Sequence, residues 1–210
     1  MISLLSLDSK LIEKLHAKKN LLAFSGGSDS TALFFILKAY KVEFDIAIVH
    51  YGVRKEANEE LLYAKQLAKM YAKKCYNKEV KLETKNFEAN ARLARYDYFK
   101  EITQQFSYET LITGHHLQDR LEWFFMQFSK GAGVSELLGM SAYSIESTLT
   151  KVRPLLDIDK GAILHFLDMN NIDYFEDESN SDTRYKRNEF RQWVTPFLEK
   201  YSDGIRQSFT

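Results

Sequence analysis

LLAFSGGSDSTALFFIL, Leu21 to Leu37, is the stretch whose reading decides the fold. Two apolar runs are separated only by Ser25-Gly26-Gly27-Ser28-Asp29-Ser30. The first, Leu21–Ser25, has the brevity and small-residue ending of a buried strand, and Ser30–Tyr40 has helical composition. A Gly-Gly turn between them lets the backbone bend tightly and bring its N–H groups up to an anion. The helix that starts near Ser28–Ser30 aims its positive end at the same spot. Ser25 and Ser30 add hydroxyl donors. Asp29 is the odd member, because a carboxylate repels phosphate unless a cation lies between them, and a Mg²⁺ ion bridging the two resolves the conflict. Ordinary helix capping accounts for Ser28 or Asp29 alone, but not for paired glycines flanked by hydroxyls. Ser25, Gly26, Gly27, Ser28, Asp29 and Ser30 are therefore read as a phosphate cradle, with Asp29 as the metal ligand. The sequence contains neither the Gly-Lys-Ser/Thr of a P-loop nor a G-x-G-x-x-G fingerprint.

Working outward, strand-like and helix-like segments alternate. Phe44–His50 reads as a buried strand and Glu56–Lys74 as a helix with Leu61, Leu62, Ala64, Leu67, Ala68 and Tyr71 at helical spacing. Cys75–Leu82 is a weaker strand, Glu88–Phe106 a helix, Thr110–Gly114 a short strand and Leu117–Ser129 a helix. This alternation predicts an α/β fold with a doubly wound, Rossmann-like parallel sheet. Gly131-Ala132-Gly133 breaks the rhythm, Ser144–Val152 alternates like a small hairpin, and Asp157–Asn170 reads as a further helix. An acidic loop, DYFEDESNSD, and a basic tail of helical pattern from Arg184 follow. The expected division is a nucleotide-sized α/β domain over 1–155 and a small helical extension over 156–210.

The bulk composition narrows the classes. Hydrophobic residues make up 45% of the 210 residues, enough for a sizeable core, and the formal net charge of zero argues against an all-over polyanion-binding surface. A single cysteine, Cys75, excludes an internal disulfide or a Cys-rich zinc site within this sequence. No signal peptide or long uncharged apolar run is visible, so a soluble, cytoplasmic protein is expected.

Ser-Gly-Gly-x-Asp-Ser resembles the PP-loop of the N-type ATP pyrophosphatases, and four later stretches resemble the tRNA(Ile)-lysidine synthases among them. These are ANARLARYDYFK (Ala89–Lys100), TGHHLQDRLEWFF (Thr113–Phe125), KGAGVSELLGM (Lys130–Met140), and RPLL (Arg153–Leu156) with EDESNSDTRYKRNEFRQWVTPFL (Glu176–Leu198). Three positions depart from the family pattern. Gln118 stands where the first of two aspartates is usual, Trp123 replaces threonine, and His50-Tyr51-Gly52-Val53-Arg54 replaces Asn-His-Gly-Leu-Arg. The resemblance implies an adenine-nucleotide alpha hydrolase-like fold and a ligase that uses ATP and Mg²⁺. ATP would adenylylate the wobble cytidine of a tRNA(Ile) with a CAU anticodon, and free L-lysine would then displace AMP. No membrane and no obligatory protein partner is implied, and a homodimer is compatible. Relatives often carry extra C-terminal domains, so this chain is expected to be a short form or a piece of a longer one.

Neither chemical step needs a protein nucleophile; both need positioning and charge stabilisation. The resemblance assigns Arg95 and Arg187, with Asp29, to catalysis, and Arg92, Arg191, His115, His116, Asp119 and Glu122 to substrate binding. Bland readings stand beside these. The two histidines would follow the carboxyl end of a strand, where open α/β sheets bind ligands, or would simply start a helix. Asp119 and Glu122 share a helix face that is either solvated or meets a lysine ammonium or Mg²⁺. RYKRNEFR is a solvated basic helix or a contact to tRNA phosphates. A small-molecule PP-loop synthetase and a non-catalytic nucleotide-binding module are the competing functions.

Overall fold

Adjacent residues of the central strands bury into two different cores. Leu22, Ile46, Ile48, Ile112 and Val152 join one hydrophobic cluster, whereas Leu21, Ala47, Leu111 and Leu149 join another. Alternation with both sides apolar marks a sheet covered on both faces. The computed structural model describes residues 5–51, 55–81, 87–137, 139–146 and 149–176. Its elements are α1 (Ser9–His16), β1 (Asn20–Ala23), α2 (Ser28–Ala39), β2 (Phe44–His50), α3 (Lys55–Met70), β3 (Cys75–Glu79), α4 (Phe87–Gln105), β4 (Thr110–Ile112), α5 (Leu117–Phe128), α6 (Val134–Leu137), β5 (Tyr143–Glu146), β6 (Leu149–Val152) and α7 (Lys160–Met169).

The strands form one sheet in the order β3-β2-β1-β4-β6-β5. Every pairing is parallel except β5 with β6. The chain runs outward from β1 through β2 to β3, then returns to the other side of β1 as β4. The strand order therefore reverses between β1 and β4, and in such sheets ligands bind outside the carboxyl ends at that point. The hairpin expected at Ser144–Val152 forms and is absorbed into the sheet, since β6 pairs with β4 and leaves β5 as an antiparallel edge.

Residues of α1, α2, α3 and α7 share the first core, and Tyr98, Phe99 and Ile102 of α4 fill the second. The α7 residues Ile163, Phe166 and Leu167 thus pack in the same cluster as Phe34 and Leu37 of α2. The α1 helix is not among the elements expected from sequence. It buries Leu11, Ile12 and Leu15, and the Asp8 side chain caps it by accepting from the Lys10 N–H at 2.9 Å. Among the described residues, no helix is long and apolar enough to cross a membrane.

One buried polar side chain ties the amino ends of the strands together. Asn20 is 1% exposed. Its amide nitrogen lies within 2.8–2.9 Å of the Leu15, Lys18 and Glu43 carbonyls, and its oxygen accepts from the Thr110 hydroxyl. Those partners belong to α1, the following turn, the lead-in to β2, and β4. Replacing Asn20 by leucine strands several buried polar groups at once, each costing about 1–3 kcal/mol. Chemical denaturation of Asn20→Leu is expected to show a loss of about 3 kcal/mol or more.

Candidate active site

The turn after β1 is held by its own backbone and by a segment distant in sequence. Gly26 has φ +82°, a conformation that L side chains rarely adopt, and an added Cβ would meet the Phe175 ring at 3.4 Å. The Phe175 N–H donates to the Gly26 carbonyl at 3.0 Å. The same carbonyl accepts from the Thr31 hydroxyl at 3.1 Å. Tyr63 packs edge-on against Phe175 and donates its hydroxyl proton to the Asp173 carbonyl at 2.7 Å. Burial is the main cause that raises the Tyr63 hydroxyl pKa to about 12.

Inside the turn, Ser30 is buried and donates to the Gly27 carbonyl at 3.1 Å, while its oxygen accepts from the Ser25 N–H at 3.2 Å. The Ser25 and Ser30 hydroxyls lie 3.1 Å apart. Gly27 is the N-cap residue of α2 and offers no side-chain acceptor. The first turn of this twelve-residue helix therefore presents its N–H groups uncapped by a side chain, the arrangement that favours an anion.

Asp29 lies in that first turn. Its carboxylate pairs with the Lys160 ammonium, which also donates to the Ser28 hydroxyl at 2.7 Å. His116 Nε2 lies 3.7 Å from the second Asp29 oxygen and 3.6 Å from Asp119. These groups come from three places: the start of α2, the β4–α5 loop and the start of α7. Gly114 permits the approach, because a Cβ there would sit 3.2 Å from the Asp29 carbonyl carbon and 3.3 Å from the Ser30 nitrogen.

The β4–α5 loop has its own scaffold. The Asp119 carboxylate accepts from the His116 N–H at 2.9 Å, and the His115 ring hydrogen-bonds to the Thr113 hydroxyl at 2.9 Å. Asp119 is 7% exposed and Glu122 2%, which overturns the reading of a solvated helix face. Gln118 is also buried, donating to Asp159 at 2.8 Å and accepting from the Lys160 N–H at 3.0 Å.

The structure thus brings Ser25 to Ser30 together with His116 and Asp119. Arg92 and Arg95 are both exposed on α4. The Arg92 guanidinium lies over the Tyr96 ring at 5.3 Å. Arg95 exerts its charge on Tyr51, at the end of β2, whose hydroxyl donates to the Ala91 carbonyl at 2.9 Å. Arg187, Arg191 and the rest of the basic tail lie outside the described residues. Lys160 is the member that sequence reasoning missed. It is an ordinary lysine at a helix start, 131 residues from its partner Asp29.

Among the described residues, no group of three or more His, Cys, Asp or Glu side chains is arranged to hold a metal ion. Mg²⁺ commonly takes one or two carboxylates and completes its shell with water and substrate phosphate. Asp29, half-buried beside an open helix N-terminus, suits that pattern.

A family model for the PP-loop domain matches residues 6–198. The chain belongs to the PP-loop domain family. It is 45% identical over 197 residues to a tRNA(Ile)-lysidine synthase from Wolinella succinogenes, covering 94% of this chain and 60% of that protein. A protein of the same name from Helicobacter pylori is 45% identical over 199 residues, covering 94% and 59%. One from Campylobacter jejuni is 42% identical over 207 residues, covering 98% and 64%. The chain therefore spans about 60% of the length of these curated relatives. Among solved structures, the U34-tRNA thiolase NcsA from Methanococcus maripaludis with its [4Fe-4S] cluster shares the fold. Its TM-score is 0.75 at 17% identity, covering 95% of this chain and 74% of that one. NMN synthetase from Francisella tularensis follows with a TM-score of 0.52 at 15% identity, covering 78% and 69%.

The close approach at Gly114 gives the PP-loop site a testable weak point. Its alanine methyl would press on helix backbone, which cannot swing aside as a side chain does. Gly114→Ala is expected to cost about 1–3 kcal/mol of stability, the usual range for overpacking. It should also weaken ATP binding by displacing the first turn of α2, as read by calorimetric titration of the folded variant. An unchanged affinity would show that the β4 loop does not position the cradle.

Proposed function

We propose that the chain carries the ATP-dependent chemistry of a tRNA(Ile)-lysidine synthase. The observation that supports this most is 42–45% identity, over nearly the whole chain, to relatives of that name. The geometry agrees with the first half of the task. The open N-terminus of α2, the Ser25 hydroxyl and the Lys160 ammonium form a site for the ATP phosphates, and the Ser30 hydroxyl braces the turn of that site from within. Asp29 would hold Mg²⁺, which when bound supplies charge neutralisation between carboxylate and phosphate.

In this reading the carbonyl oxygen of the wobble cytidine bonds to the α-phosphorus of ATP, and the bond to pyrophosphate breaks. The lysine ε-amine then bonds to the ring carbon, AMP leaves with the former carbonyl oxygen, and the amine loses a proton. The protein's part is to hold two substrates in line and stabilise developing charge. Lys160 and the first N–H groups of α2 meet the leaving pyrophosphate. Arg95 faces the adenylylated intermediate from α4, and Arg92 contacts RNA. His115, His116, Asp119 and Glu122 line the approach for lysine. Arg187 works near the reacting centre, whereas Arg191 meets the tRNA backbone.

Incubation of the protein with tRNA(Ile), ATP, Mg²⁺ and lysine, followed by mass spectrometry of the nucleosides, is expected to reveal lysidine. Pyrophosphate release without a modified cytidine would reassign the site to another acceptor. Asp29→Asn should lower the rate of pyrophosphate release at least about hundredfold, the scale of losing one electrostatic stabiliser, while the circular dichroism spectrum stays the same. Turnover at the parent rate would exclude Asp29 from the chemistry.

The basic tail yields a separate expectation. Arg191→Ala should reduce the log–log salt dependence of tRNA binding by about one unit. Arg187→Ala should slow single-turnover chemistry and leave that slope unchanged. If both variants bind and react like the parent, the tail has no part in the reaction.

A further inference from the structure

We propose that Gln118 is a positioning residue that sets what surrounds the Asp29 carboxylate, because one side-chain amide fixes both the His116 ring and the start of α7. The contacts leave its orientation no choice. The Lys160 backbone N–H can only donate, so the atom 3.0 Å away is the amide oxygen. The Asp159 carboxylate accepts, so the atom 2.8 Å away is the amide nitrogen. The oxygen also faces His116 Nδ1 at 3.1 Å, a hydrogen bond in the tautomer that carries its proton on that nitrogen. In that tautomer the other ring nitrogen, Nε2, is the one turned towards Asp29 and Asp119.

The other arm of the clamp runs through α7. Asp159 accepts from Gln118 with one oxygen and from the Gly161 N–H with the other, at 2.8 Å each. Asp159 is thereby held as the N-cap of α7. Lys160 is the next residue, and its side chain reaches Ser28 and Asp29. The ring beside one Asp29 oxygen and the ammonium on the other are therefore registered by the same buried amide. A carboxylate at position 118 would set acceptor against acceptor beside Asp159. That contact asks for an amide, so Gln118 is read as a matched partner of Asp159 and not as a lost carboxylate.

The matched pair can be inverted, which provides the test. In the double variant Gln118→Glu/Asp159→Asn, the carboxylate introduced at position 118 accepts from His116 Nδ1, from the Lys160 N–H and from the amide introduced at position 159. The oxygen of that new amide still accepts from the Gly161 N–H, and the net charge is unchanged. Gln118→Glu alone and Asp159→Asn alone should each weaken MgATP binding about tenfold, a coupling usual for hydrogen-bonded neighbours. The double variant should return to within about twofold of the parent.

Gln118→Met keeps the side-chain length without its polar atoms. In ¹⁵N-histidine-labelled protein it should remove the Nδ1–H signature of His116, assigned with His116→Asn. Additive losses in the double variant, or an unchanged His116 signature in Gln118→Met, would overturn the proposal. The nucleotide arm rests on the ATP-site reading above. If the parent protein binds no MgATP, that reading fails, and the His116 signature with the thermal stability of the three charge variants decides the clamp by itself.

Discussion

A carboxylate at the positive end of a helix, in a crevice crowded by two other elements, is the constraint on which the arrangement depends. Asp29 is favoured there by the partial positive charge of α2. That same charge is what an incoming phosphate would use, so the carboxylate and a phosphate compete for one field. The fold meets this with cationic or polar groups brought from far away in sequence: Lys160 on one oxygen and the His116 ring near the other. Neither comes from α2 itself. Both require β4 and α7 to reach the carboxyl end of β1, and the missing side chain of Gly114 leaves room for that approach.

The sheet explains why these segments meet. With β1 in the middle and the order reversing between β1 and β4, the loops leaving both strands open into the same crevice. The α7 helix shares the hydrophobic cluster that holds α2, so apolar packing sets its place, while its polar N-terminus lands beside Asp29. Burying Ile163, Phe166 and Leu167 is worth roughly 1.5–3 kcal/mol per side chain. A single ion pair that is about one-third exposed contributes far less. Packing therefore places Lys160, and the ion pair only refines its position.

Much of this was legible in the sequence because it was local. The β1–turn–α2 unit follows from apolar runs flanking Gly26-Gly27, and the alternation of segments forecasts the parallel sheet. What escaped was non-local or short. The eight-residue α1 carries a cap at Asp8 and an apolar stripe of Leu11, Ile12 and Leu15, a signal that was present but small. Lys160 resembles any lysine at a helix start until the fold carries it 131 residues back to Asp29. Asp119 and Glu122 share a helix face that the spacing leaves open between solvent and a ligand; both are buried, and helical period alone does not say which side of a helix is covered. Gln118 reads as a missing carboxylate in one dimension. In three dimensions it is an amide whose donor and acceptor are both required by neighbours at the start of α7.

The two ends of the central strands show opposite uses of buried polarity. At the amino end, Asn20 meets only carbonyls and a hydroxyl, every contact is internal, and the result is a fixed joint. At the carboxyl end, the helix is left without a side-chain cap and Asp29 is held by a flexible ammonium. A lysine on four methylenes can shift from carboxylate to phosphate without moving the backbone, because its charge is a point and its donors rotate. The surrounding frame does not share that freedom, since Gly26, Ser30 and Phe175 are locked by hydrogen bonds to backbone. A rigid cradle with one movable cation suits a site that must accept a polyanion and later release part of it. The charge can follow the phosphate while the donors that define its position stay still.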